Sequence, residues 1–364
     1  MRGTRAVIDL ERLADNANYL RQKADGRDVM CIIKADAYGH GVLPVLHTLS
    51  HQGFRHFGVA TYEEAVELRE ASDDIEILIL GGITTSDIPL AHERRIHVAL
   101  HHESDIQMME KSGLTGYCHI KIDTGMHRVG FLPEDIPALA ERLVALKPVG
   151  IFTHLARADE RDKTATLIQI ERFRGVLDVL GGAGADFRFI HYANSAGILD
   201  LDLSFTNMVR AGIALYGLNP SHEVTDAHLQ PIMQFLTRVT DVRRIDPAEG
   251  VSYSHRFIAE QPTMVATLPV GYADGYKRPM SGKIDVLIGG KRCRQIGRIT
   301  MDQIMIDVTG HDVQVGDEVE LFGDGIHCDE LAQAAETINY EIVTTLGKRV
   351  RREYIKGDAT WNSK

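Results

Sequence analysis

The sequence predicts an α/β chain in which a TIM-type (β/α)8 barrel is followed by a mostly β domain. Three observations carry this. Short β-rich runs alternate with amphipathic helical segments through the first two thirds of the 364 residues. The strand runs, such as Val29-Met-Cys-Ile-Ile, are continuously apolar rather than alternating, as parallel strands covered by helices are. After residues 219–223 the texture changes to strands joined by turns.

In chain order, strands are expected near residues 29–34, 56–60, 76–81, 97–100, 118–123, 150–155, 188–194 and 208–214. Between them lie amphipathic segments such as 63–71, 134–146 and 163–180, the last stopped by Gly181-Gly182. Eight β/α units in ~220 residues fit a closed barrel. A doubly wound open sheet has the same periodicity and stays open as the alternative. The polar stretch Asn219-Pro-Ser-His-Glu223 interrupts this pattern. Beyond it, strands are expected at 234–244, 264–270, 283–288, 303–308 and 313–322, the last containing the turn signal Val315-Gly-Asp317. One helix is expected over 329–346. The domains read as 1–228, the barrel, and 229–364, mostly β.

The length suits two domains at ~150 residues each. With 44% hydrophobic and 25% charged residues, the composition is that of an ordinary globular protein. Forty basic residues against fifty-one acidic give a net charge of −11, which repels phosphate backbones, so no nucleic-acid partner is expected. No apolar run approaches the ~20 residues of a membrane span, and Arg2, Arg5, Asp9, Glu11, Arg12 and Asp15 interrupt any signal-peptide core. The four cysteines, Cys31, Cys118, Cys293 and Cys328, form no C-x-x-C pair, which fits reduced thiols in a cytoplasm. The segment His92-Glu-Arg-Arg-Ile-His97 imitates a zinc-binding H-E-x-x-H, but its histidines are five apart and diverge by ~140° on a helix. No metal site is expected.

In a barrel of this type the active site lies at the C-terminal strand ends. The expected strands end there in Lys34, Lys121 with Asp123, His154, Asn194-Ser195 and Arg210. Such groups are costly to bury without partners. A lysine closing an apolar strand either snorkels to water or serves as an amine nucleophile toward a carbonyl, with its pKa lowered from ~10.4 by desolvation or a nearby cation.

The segment Ile32-Ile-Lys34-Ala-Asp-Ala-Tyr38-Gly-His-Gly41 resembles the pyridoxal phosphate attachment segment of the alanine racemase family. Further matches follow in order: Lys121-Ile-Asp-Thr-Gly-Met-His-Arg128, Thr153-His154, His191-Tyr-Ala-Asn-Ser195, Val209-Arg-Ala-Gly-Ile-Ala-Leu-Tyr-Gly217, Val251-Ser-Tyr253, Val270-Gly-Tyr-Ala-Asp-Gly275 and Gly297-Arg-Ile-Thr-Met301-Asp-Gln303. They run over nearly the whole chain. The resemblance implies a pyridoxal phosphate enzyme that interconverts L- and D-alanine, a homodimer with shared active sites, and a role in D-alanine supply for peptidoglycan.

Racemisation needs an electron sink and a base on each face of the α-carbon. By resemblance, Lys34 bears the cofactor and is one base, and Tyr253, reaching across from the partner subunit, is the other. A tyrosine with a pKa of ~10 is a poor base at neutral pH, and His154 and Arg210 resemble the network that assists it. Taken alone, Tyr253 and His154 read as structural residues. Arg210 resembles the arginine facing the pyridine nitrogen, where a guanidinium hydrogen-bonds without giving up its proton. Tyr38, Ser195 and the amides of Gly212 and Ile213 match the phosphate site, where backbone N–H groups suit a dianion. Arg128 and the Met301 amide match the carboxylate contacts, Arg128 through bidentate geometry. Lys121 matches a lysine that is often carbamylated in the family and then holds Arg128; a plain Lys121–Asp123 ion pair is the alternative. Asp159, Tyr272, Arg278, Arg298 and Asp302 match the approach to the site.

Three departures bear on substrate range. His127 stands where the family has glycine, Thr300 where it has cysteine, and Lys348 where a pocket tyrosine is usual. A racemase tolerant of serine or other small amino acids is therefore the alternative. A non-catalytic cofactor-binding barrel usually lacks the second domain and Tyr253. A fold-related decarboxylase uses an acidic group where Arg210 stands.

Overall fold

The computed structural model describes residues 3–357. They form two compact units. One comprises Leu13–Ala37 and Val42–Gln230, and the other gathers the remaining described residues. The first strand, β1 (Arg5–Asp9), belongs to the second unit.

The first unit is a parallel barrel of eight strands: β2 (Asp28–Ile32), β3 (His56–Val59), β4 (Glu76–Ile79), β5 (His97–Leu100), β6 (Cys118–Lys121), β7 (Gly150–Phe152), β8 (Phe189–His191) and β9 (Met208–Ala211). Each pairs with the next in parallel from β2 to β8, and β9 returns to β2 in the register Val29↔Val209. The Asn207 amide donates to the Ile190 carbonyl at 3.1 Å and the Arg210 amide to the Ala193 carbonyl at 2.9 Å, bringing β9 against β8. That near-closure decides for a barrel over an open sheet. The strands are short and buried on both faces because helices such as Tyr62–Ala71, Ile136–Ala145 and Thr164–Gly182 cover the outside.

The second unit carries a nine-stranded sheet. It contains β10 (Met233–Arg238), β11 (Asp241–Ile245), β14 (Thr263–Leu268), β15 (Asp285–Ile288), β16 (Lys291–Ile296), β17 (Ile304–Asp307), β18 (Glu318–Phe322) and β19 (Arg351–Ile355), while β12 (Gly250–Val251) and β13 (Phe257–Ile258) form a separate small ribbon. Its order is β11-β14-β17-β16-β15-β18-β10-β1-β19.

Three expectations differ from the structure here. Residues 5–9 are not part of the barrel: β1 buries Ala6, Ile8 and Asp9 and pairs antiparallel with β10 and parallel with β19. The single strand expected over 234–244 is two, because β10 pairs with β18 whereas β11 pairs with β14. The helix expected over 329–346 is also two, Cys328–Ala334 and Asn339–Thr344. Glu336 between them takes a left-handed φ of +58°, and the Asn339 side-chain Nδ2 donates back to Asp329 Oδ1 at 2.8 Å.

Candidate active site

Five of the predicted residues gather at the C-terminal ends of the barrel strands, where such barrels place their chemistry. Lys121 is the last residue of β6 and Arg210 lies in β9. Lys34, His154 and Ser195 follow β2, β7 and β8 within a few residues.

Arg210 is 3% exposed and organises the centre of this cluster. Its Nη1 donates to Nδ1 and to the carbonyl of His191, both at 3.0 Å. Its Nη2 donates to the Thr153 carbonyl at 2.9 Å, and to His154 Nδ1 and the Tyr192 carbonyl at 3.2 Å. Burial first, then Arg128, pulls its pKa down to about 9, so it keeps its charge at neutral pH. A guanidinium only donates, so both histidines accept at Nδ1 and carry their single proton on Nε2. Burial and the same charge push His154 and His191 well below the ordinary histidine range, and both are neutral. Four guanidinium N–H groups are thus anchored, and Nε–H has no partner among the described residues.

His191 Nε2 then lies 3.0 Å from Nδ1 of buried His119. Gly150 makes room for this contact: a Cβ there would stand 2.4 Å from His119 Nδ1.

Lys34 is half-buried, and its amine has no hydrogen-bond or ion-pair partner among the described residues. Burial and Arg128 lower its pKa while Glu64 opposes them. The next four residues, Ala35, Asp36, Ala37 and Tyr38, all have φ between +52° and +54°, a turn of left-handed helix ending at Gly39 with φ +81°. Such a conformation costs ~1–2 kcal/mol per non-glycine residue, and it lies against the predicted nucleophile, where strain of this kind tends to collect.

Asp123 shapes the loop that carries Arg128. Its Oδ1 accepts the amides of Gly125, Met126 and His127 at 2.9–3.0 Å, and Oδ2 accepts that of Arg128 at 2.8 Å. These bonds hold its carboxyl below the usual range against the opposing effect of burial. Among the described residues no ion pair joins it to Lys121. The Lys121 amine donates to the Ile122 carbonyl at 3.0 Å and lies 5.2 Å over the Phe152 ring. Burial and Arg210 bring its pKa down to about 7.

Gln169, which the sequence reading did not single out, joins this loop to His154. Its amide donates to Thr124 Oγ1 and to the His154 carbonyl, both at 3.2 Å, and its oxygen accepts the Ala156 amide at 2.8 Å.

The Ser195 hydroxyl oxygen accepts the Gly212 amide at 2.9 Å and the Ala214 amide at 3.2 Å, which leaves its own hydrogen to donate. The Gly212 amide was expected to face an anion directly; it is spent on Ser195. The Ile213 amide opens the short helix Ile213–Tyr216, where the first N–H groups lack intrahelical partners. A donor hydroxyl beside a helix-end amide fits a phosphate.

Tyr38, Tyr253 and Met301 lie in the second unit. The Tyr38 ring stands 6.2 Å from that of Tyr340, and burial raises its pKa to about 12. Tyr253 is 70% exposed on a turn whose neighbours Ser252 and Ser254 have φ of +63° and +60°. The Ser252 hydroxyl pins this turn to the Arg298 carbonyl at 2.9 Å. Met301 is 52% exposed, and its carbonyl accepts the Ala273 amide at 3.1 Å and Arg349 at 3.3 Å. Arg349 also pairs with fully buried Asp274 and with Asp302, each at 2.7 Å, so it ties the Met301 loop to the short turn Tyr272–Asp274. Sequence reasoning gave Arg349 no role. Lys348 beside it is exposed.

Comparison with known proteins agrees over the whole length. A family model described as "Alanine racemase, N-terminal domain" matches residues 8–220, and one described as "Alanine racemase, C-terminal domain" matches residues 232–354. An alanine racemase of Halothermothrix orenii is 40% identical, with 97% of each chain covered. Among solved structures, the alanine racemase from D-cycloserine producing Streptomyces lavendulae superposes with a TM-score of 0.93 at 35% identity, covering 98% of both chains. That of Bacillus anthracis with bound L-Ala-P gives 0.91 at 32%, covering 99% of this chain and 96% of that one.

Proposed function

The chain belongs to the alanine racemase family, and from that membership we propose that it racemises alanine with Lys34 and Tyr253 as opposed bases and pyridoxal phosphate as cofactor. Racemisation of alanine is the family's reaction, and the chain is an isomerase. The cofactor, when bound, supplies a sink for the electron pair left at the α-carbon.

One observation carries the cofactor assignment. Arg210 is anchored through its Nη atoms and keeps one N–H for a ring nitrogen that accepts without being protonated. Lys34 holds the cofactor and, once released, takes or returns a proton at Nζ on one face; its lowered pKa suits that task. Tyr253 does the same on the other face. The wide exposure of Tyr253 and Met301 supports a homodimer in which the partner's site receives them. His154, neutral with its proton on Nε2, is the hydrogen-bonding group that tunes the base. Arg128 and the Met301 amide receive the substrate carboxylate, while Tyr38, the Ser195 hydroxyl and the Ile213 amide hold the phosphate, with the Gly212 amide fixing Ser195.

A lysine amine with a pKa of about 7 is largely unprotonated in mild alkali and adds carbon dioxide, losing one proton and gaining a carboxylate. Carbamylated Lys121 would then face Arg128 with a negative charge. D-alanine for peptidoglycan is the proposed product, made in the cytoplasm. No helix among the described residues is long and apolar enough to cross a membrane. Lys348 in place of a pocket tyrosine favours a second reading, activity extending to serine.

The test is to incubate the purified protein and pyridoxal phosphate with L-alanine or L-serine, following the D-enantiomer. Borohydride trapping and peptide mapping would follow. D-alanine with the label on Lys34 is the expected outcome. A label on another side chain, or no D-alanine, overturns the proposal.

A further inference from the structure

We propose that Glu64 is a positioning residue for Lys34, clamping the first amide of the left-handed turn so that the Lys34 backbone is fixed where its amine meets the cofactor. The inference rests on the reading of Lys34 as the cofactor-bearing lysine. A left-handed run of four non-glycine residues persists only where its surroundings over-determine it. The hydrogen bonds that hold this one include three on its first residues and its exit. The Ala37 amide donates to the Ile33 carbonyl at 3.0 Å, and the Val42 amide to Asp36 Oδ1 at 2.7 Å. Both are local. The third, from the Ala35 amide to Glu64 Oε1 at 2.6 Å, ties the turn to a different strand end.

The other Glu64 oxygen accepts the amides of Ala60 at 2.7 Å and Thr61 at 3.3 Å, while the Thr61 hydroxyl accepts the Glu64 amide at 3.3 Å. That is a capping box at the start of the helix Tyr62–Ala71. A capping box accounts for Oε2 and leaves Oε1 over. One carboxylate therefore bridges the ends of β2 and β3 through charge-assisted hydrogen bonds. Its negative charge also favours the protonated amine of Lys34, against burial and Arg128.

The experiment uses the full chain, Glu64→Gln and Glu64→Asp. The readouts are the fraction of pyridoxal phosphate trapped on Lys34 against its concentration and against pH, deuterium uptake over residues 34–39 before cofactor is added, and a thermal melt. Glu64→Gln keeps one acceptor oxygen for three backbone amides and loses the charge. Attachment is expected to weaken about tenfold or more, the effect of one hydrogen bond to a charged group. Its pH midpoint is expected to fall, because the unprotonated amine is favoured. Uptake over 34–39 rises. Glu64→Asp keeps the charge but is one methylene short of Ala35, so uptake rises and attachment weakens while the midpoint stays. If Glu64→Gln melts out, the aspartate variant decides. Attachment, midpoint and uptake equal to those of the parent overturn the role of Glu64. A parent that takes no cofactor on Lys34 overturns the functional reading instead, and the uptake comparison still tests the clamp.

Discussion

His191 and His119 share one hydrogen bond of 3.0 Å inside the barrel, and its direction is fixed from outside the pair. Arg210 occupies Nδ1 of His191, so His191 donates from Nε2 and His119 accepts. Burial holds both far below the ordinary histidine range, and His97, whose ring meets that of His119 edge-on, is lowered to about 4.

Acid is therefore expected to destabilise the fold. Between the unfolded value of ~6.5 and these lowered values the unfolded chain binds protons that the native state refuses, so stability is complete above pH ~6.5 and falls below it. His97 alone, taken to about 4, accounts for roughly 3 kcal/mol. Melting temperatures between pH 7 and 5 should drop steeply, and His119→Asn, which keeps an acceptor but binds no proton there, should make the fall shallower.

Lys121 works over the alkaline range. Its folded pKa is about 7, so between there and ~10.4 the unfolded chain holds a proton that the native state has released. Stability should rise with pH across that window. Lys121→Met removes the titrating group and should flatten the rise, as read from melts at pH 7 and pH 9 without bicarbonate.

Arg210→Gln should damage both fold and cofactor site. It abandons the Thr153, His191 and Tyr192 carbonyls and two imidazole nitrogens in the interior. Loss of ~3–5 kcal/mol is expected from breaking such a buried charged network. Denaturant unfolding gives the first quantity and a pyridoxal phosphate titration the second, and an unchanged result in both would contradict the anchoring described here.

Tyr253→Phe should do the reverse. A side chain 70% exposed on its own subunit contributes within about 0.5 kcal/mol to that subunit's fold, so melting should hardly move. Loss of a positioned acid–base group should slow racemisation by ~10²–10⁴. Deuterium exchange at the α-carbon, followed separately from L- and D-alanine, should slow far more from one enantiomer.

The barrel was legible because its strands are buried on both faces and therefore read as unbroken apolar runs. The runs near 97–100 and 56–60 place β5 and β3 almost to the residue. Sheet strands with one wet face were harder. Lys291–Ile296 carries Lys291, Arg292 and Arg294 outward and gives no apolar run, so β16 was missed. The predicted chemical groups came from strand ends and from a resemblance in motifs. Their supports did not, because Gln169, Arg349 and Glu64 act through partners far away in sequence. Only Glu64 left a local trace, Thr61-x-x-Glu64 at a helix start.

Strand β1 lies between β10 and β19, with Arg5 opposite Leu236 on one side and Arg351 on the other. A ladder that joins the first described strand to the last is among the most non-local pairings a chain of this length can make, which slows folding. Until residues 351–355 leave the ribosome, β1 lacks one neighbour. A fragment cut at Pro231 would lack β1 altogether and expose the inner edges of β10 and β19, the kind of surface that recruits other chains into aggregates. The second unit should therefore be studied with its amino-terminal strand attached.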